Sequence, residues 1–257
     1  MRVRAVCSSL CLAGSWHYLN PKLADEAAAV RHYNRAPIVE AILEFLIPEL
    51  PAEKQALLDD VIEALSATYP EPFRRSPEDA GDDRSGKSRR SADGLQVVHV
   101  RTNGLGFSRL APYEDWERFT AEARRVWNIY SGCTEPAELS GFAARYINSL
   151  RVPLRVPLYK FFNIYPVVPE RDTLFHAMFM FLEMPVQKPP GSHSVFMAPQ
   201  QLTAAEGATH FQMILDNSFN FEVKDPDSIW RSLADIRKLK NDTFNSQITD
   251  ELKETIA

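Results

Sequence analysis

Cysteine is nearly missing from this chain: Cys7, Cys11 and Cys133 are the three in 257 residues. At those positions they form neither a disulfide framework nor a paired zinc pattern, which excludes a disulfide-stapled secreted scaffold and a zinc-finger module. Long apolar runs are missing too. No stretch approaches the roughly 18 apolar residues of a membrane-spanning helix, so no membrane association is expected. A basic excess is also absent, with a formal net charge of −5. General polyanion binders neutralise phosphates with surplus Lys and Arg, so nucleic acid is not an expected partner. The chain carries no nucleophile elbow, phosphate loop or His-x-x-x-His pair, and no cofactor or metal is expected. Few thiols fit a reducing, cytoplasmic location.

What is present is the balance of a folded globule. Hydrophobic residues make up 45% and charged residues 25%, enough for a sizeable core. The length suits one large α+β domain over residues 32–257. Residues 1–31 read as an extension, poorly ordered or bearing a short helix started by Asn20-Pro21. Arg2, Arg4 and a short apolar stretch also make a faint copy of a secretory signal, broken by Ser8 and Ser9.

From Pro37 the period is that of a strand. Val39, Ala41, Leu43, Phe45 and Ile47 line one face, and Glu40 and Glu44 lie on the other. That spacing resembles a paired-carboxylate site, although solvated strand glutamates give the same pattern. A helix is predicted over 52–69, with Leu58, Val61, Ile62, Leu65 and Tyr69 on one stripe. Residues 71–94 are polar and predict a mobile loop. Arg84, Lys87, Arg89 and Arg90 form a basic cluster there, readable as a nucleic-acid finger or a solvated loop.

Strands are predicted at 95–101 and 105–110, joined at Asn103-Gly104. A helix over 113–130 carries Trp116, Phe119, Ala123, Trp127 and Tyr130 at steps of three and four, a core stripe. The strand 142–152 places Arg145 and Asn148 on opposite faces. Arg145 suits either an anionic ligand or an internal carboxylate; Asn148 suits a ligand or a bulge. Three more strands are expected at 175–184, 193–198 and 209–215. His176, His193 and His210 fall one per strand, and convergence on a metal lacks a close-spaced pair to support it. A helix over 226–241 starts at Asp225-Pro226, is interrupted at Asn241, and precedes a final helical turn capped by Thr249. The fold class is therefore α+β, a mostly antiparallel sheet with helices packed on it.

Several blocks resemble one family. They are Asn34-Arg35-Ala36-Pro37-Ile38-Val39-Glu40-Ala41, Gly106-Phe107-Ser108-Arg109-Leu110 with Pro112-Tyr113 and Trp116, and Arg145-Tyr146-Ile147-Asn148. Leu239-Lys240-Asn241 with Phe244 and Ile248-Thr249-Asp250 completes the set. Together, in this order, they resemble a sporadically distributed, largely uncharacterised family of prokaryotic proteins. The resemblance begins near Tyr33 and implies no activity. Two functional expectations follow. One is a non-enzymatic binding or regulatory module for a protein or small ligand. The other is an enzyme acting on a phosphorylated or nucleic-acid substrate, in a cleft lined by Arg109, Arg145, Asn148 and Asn241.

Overall fold

Alternation at Ile38–Leu46 makes β1, the strand on which the sheet is centred. In this computed structural model the described residues are Tyr33, 36–73, 86–154, 156–167, 178–200 and 209–257. The expectations for 1–31, for the acidic and basic residues of 74–85, and for His176 lie outside them. A short 3-10 helix at Ala52–Lys54 precedes α1 (Leu57–Leu65). Then come β2 (Glu71–Pro72), β3 (Lys87–Arg90), β4 (Gln96–Arg101), β5 (Gly104–Leu110), α2 (Trp116–Thr134) and β6 (Gly141–Pro153). The chain closes with β7 (Met180–Gln187), β8 (Pro190–Pro199), β9 (His210–Phe221), α3 (Pro226–Gln247) and α4 (Asp250–Ile256).

The described strands form one sheet in the order β2-β3-β4-β5-β1-β6-β9-β8-β7. Every neighbouring pair is antiparallel. The fold is α+β, as the element pattern predicts. The helices share one face of the sheet. Trp127 of α2 and Trp230 of α3 both meet Phe45, α1 packs toward Val98 and Val100, and α4 packs with Leu150 and Val152. The apolar residues there form two clusters, one around Phe45, Phe107 and Tyr130, the other around Phe162, Met197 and Leu252.

The β4–β5 hairpin turns on Thr102-Asn103, with Arg101 opposite Gly104. Gly104 has φ +141, and a Cβ there would sit 2.1 Å from the Phe45 carbonyl oxygen. Only glycine lets β5 come this close to β1.

Four expected elements differ. Residues 71–94 are not loop throughout, because β3 pairs with β4 and β2 pairs with β3. Arg89 donates to the carbonyls of Tyr69 and Pro70, and Arg90 binds Glu71. The predicted helix 52–69 is shorter, since the chain turns after Leu65 to bury Tyr69. The strand expected at 175–184 is β7, Met180–Gln187, because its register is set by the hairpin with β8. Asn241 does not interrupt α3, which runs on so that Gln247 reaches Asn217.

Candidate functional site

The strand registers decide where the predicted site residues point. Ala41 lies opposite both Arg109 and Tyr146, so Arg109 shares the helix-covered face. Ile42 lies opposite Arg145, which therefore points to the other face. Asn148 returns to the helix side, where its amide donates to the carbonyls of Leu215 and Tyr146 at 3.1 and 3.4 Å. It sits beside a register shift between Ile38 and Glu40. Asn241 lies on α3, partly buried. The four residues do not line one cleft, because a single-residue step along a strand reverses the face.

Arg145 grips Asp216 through Nε and Nη2, the latter at 2.6 Å. The Asp216 carboxylate holds the guanidinium more firmly protonated, with weaker help from Glu40 and Glu44. Glu44 is itself paired with Arg101. The two glutamates thus share a face with Arg145, and Glu44 is taken up by its pair with Arg101. Arg109 pairs with Glu114 at 3.1 Å. Among the described residues no His, Cys, Asp and Glu group is placed to hold a metal ion.

The most unusual group was missed by sequence reasoning. Lys240 extends the apolar stripe of α3, four residues beyond Ile236 and seven beyond Leu233. A lysine at a core position of an apolar period was the signal available. Its Nζ lies 4.8 Å from the ring centre of Tyr146 and 5.8 Å from those of Tyr113 and Trp116. These rings come from β6, from the connection ahead of α2, and from the first turn of α2. Burial lowers the Lys240 pKa to about 8, and the Arg237 charge adds to that shift. The ring faces act oppositely, since their negative quadrupoles attract an ammonium. No carboxylate or hydrogen-bond acceptor meets Nζ among the described residues. The hydroxyls of Tyr113 and Tyr146 are likewise buried without a partner among the described residues.

Beyond Tyr146 the polar groups continue as a seam between the two apolar clusters. The amides of Asn217 and Gln247 bond each other reciprocally at 2.9 and 2.8 Å. His193 Nε2 lies 2.8 Å from the Asn217 amide oxygen, and the imidazole stacks on Phe219 at 4.4 Å. Burial pushes the His193 pKa down, with the Asn217 bond pulling it up. Each member satisfies another, which is how buried polar groups are retained in a core.

At the far edge the sheet is apolar. β7 is terminal in the strand order and pairs only with β8 among the described strands. Phe179 is 77% exposed, Phe181 57%, Leu182 40%, Met184 39% and Phe196 36%. Phe181 lies opposite Phe196 on the helix-free side, and Leu182 lies opposite Val195 on the other. No helix among the described residues is long and apolar enough to cross a membrane.

No protein-family model matches the chain, and no curated protein matches it significantly.

Proposed function

We propose that this protein is a non-enzymatic binding module that accepts an extended apolar segment of a partner protein along β7. One observation carries the reading: large apolar side chains stay exposed on both faces of an edge strand. Exposed edges present unpaired backbone donors and acceptors, and proteins normally blunt them with charge. This edge is blunted at two of its eight positions: within Met180–Gln187 the sole charged residue is Glu183 and the sole proline is Pro185, which offers no backbone N–H. Strand addition draws affinity from main-chain hydrogen bonds and specificity from alternate side chains. Because β7 is apolar on both faces, the segment it takes is apolar on both faces too. The enzyme reading has no comparable support, since Arg145 lies on the sheet face opposite Arg109 and Asn148, and Asn241 lies on α3. The scarcity of cysteine supports a cytoplasmic site of action. The block resemblance supports a prokaryotic origin.

Selection of a random peptide library on the full chain tests this. Enriched peptides should alternate apolar residues, and their binding should slow amide hydrogen exchange in β7. Leu182→Lys combined with Phe181→Lys should abolish binding without lowering the melting temperature, because both side chains are exposed. No enrichment, or protection confined to another element, overturns the reading. Light scattering that shows a dimer lost in the same double variant would assign the edge to a second copy instead.

A further inference from the structure

Resting on the reading of β7 as a binding edge, we infer that Glu183 decides which segment the edge takes: an otherwise apolar strand with a lysine or arginine beside Glu183. The register with β8 gives β7 two unlike faces. Met180, Leu182, Met184 and Val186 fall on the helix side, where Met180 lies opposite Met197 and Leu182 opposite Val195. Met197 and Val195 are buried in the second apolar cluster, Met180 packs against that cluster, and Val186 packs against the first. This row therefore extends the core layer, and it runs out where Leu182 and Met184 stay exposed. An added strand continues the row with aliphatic side chains at alternate positions.

The helix-free face is different, because Glu183 stands on it between Phe181 and Pro185. Glu183 lies opposite Ser194, is exposed, and has no ion pair or hydrogen bond among the described residues. Across the sheet its row runs through Ser194 and Ser218 to Arg145. Three strand spacings put Arg145 roughly 14 Å away, and that arginine already holds Asp216. Lys188 lies past the end of β7, in the turn to β8. Glu183 is thus a carboxylate without a counter-charge in the middle of an apolar edge. Directly opposite residues on paired strands have Cβ atoms about 4.5–5.5 Å apart, so the facing residue of an added strand meets this carboxylate. A lysine or arginine there pairs with it, and Phe181 and Pro185 offer contact for the methylene stem. An aspartate or glutamate there is repelled. Two copies of β7 paired antiparallel about Glu183 would likewise set carboxylate against carboxylate. Selection of this kind works by penalty as well as by attraction.

The test selects one random peptide library on the full chain and, in parallel, on Glu183→Lys. Peptides enriched on the parent should carry lysine or arginine at one fixed position among alternating apolar residues. On Glu183→Lys that position should turn to aspartate or glutamate. In calorimetric titrations of one parent-enriched peptide, replacing its basic residue by glutamine should weaken binding about two- to fivefold, the range of an exposed cross-strand ion pair. Glu183→Gln should remove the difference between those two peptides. The melting temperature should hold in both variants, because the Glu183 side chain is exposed and has no partner among the described residues. If neither chain enriches a peptide that slows amide exchange in β7, the β7 reading falls and this inference with it. If enriched peptides protect β7 but show no charged position, or keep the basic one on Glu183→Lys, the edge stands and this inference alone fails. Light scattering that shows Glu183→Gln dimerising, with no charge preference among the peptides, would make Glu183 a guard against self-pairing and overturn the inference too.

Discussion

Trp127 shows how one side chain anchors a sheet to a helix. It is 2% exposed and stacks on Phe45 at 4.9 Å and on Tyr130 at 5.7 Å. Truncation to alanine should cost roughly 3–5 kcal/mol, the usual range for a buried aromatic. Against a total of roughly 5–15 kcal/mol that is a large loss, so Trp127→Ala should show a much lower denaturation midpoint. Arg145 behaves differently. Its side chain is 43% exposed, while Asp216 beneath it is 9% exposed. Arg145→Ala strands a nearly buried carboxylate, and solvent access to the arginine limits the loss to about 1–2 kcal/mol. Urea denaturation checks this, and a change under 0.5 kcal/mol would contradict it. Arg145→Lys should recover only part of the stability, because an ammonium does not reproduce a guanidinium gripping through two nitrogens.

At the scale of elements, legibility follows the apolar period. The stripe of α2 is visible in sequence because Trp116, Phe119, Ala123, Trp127 and Tyr130 recur at helical steps, and all five are buried. Its start is less visible. The expected first residue was 113, yet Asp115 takes the cap position and accepts from the Arg118 N–H at 2.6 Å. Asp115→Ala should therefore destabilise the fold by about 1 kcal/mol, while Asp115→Asn should cost less. Thermal melts of the two variants distinguish a cap from a mere surface charge. β3 is the opposite case. Lys-Ser-Arg-Arg has no apolar alternation and reads as loop, but β4 supplies its hydrogen-bond partners. Charged side chains suit such a strand near an edge.

The whole molecule depends on a seam that neither apolar cluster contains. Asn217, Gln247 and His193 join β9, α3 and β8 where the two clusters meet. Replacing Asn217 by alanine leaves Gln247 and His193 buried without partners, a loss of about 1–3 kcal/mol for each unsatisfied group. It should also loosen the coupling between the clusters. Of the four tryptophans, Trp116 and Trp127 belong to the first cluster and Trp230 packs against it, while Trp16 lies outside the described residues and is replaced by phenylalanine in the test protein. In this Trp16→Phe parent, tryptophan fluorescence and far-ultraviolet dichroism should report one unfolding transition. In Asn217→Ala the two curves should separate; coincident curves would mean that the clusters are coupled without the seam. His193 adds a pH dependence. Its folded pKa is depressed, so the unfolded chain binds more protons as pH falls toward 6.5, and stability drops on the acid side.

The sequence by itself determined the fold class, the position of β1, the pairing of β4 with β5 and the buried face of α2, although the hairpin turns on Thr102-Asn103 and not on the expected Asn103-Gly104, because Gly104 is taken into β5 against Phe45. Each of these rests on local periodicity or on turn chemistry, which a chain carries wherever it folds. Tertiary structure decided the rest. Arg109 and Arg145 resemble each other as strand arginines, yet register places them on opposite faces of the sheet. Asn241 looks like a helix break until Gln247 finds Asn217 across the seam. Lys240 looks like one more surface lysine until three rings, from separate parts of the chain, close around it. Contacts between residues far apart in sequence exist only after the sheet has assembled, and those contacts set which polar groups are paired and which are left open.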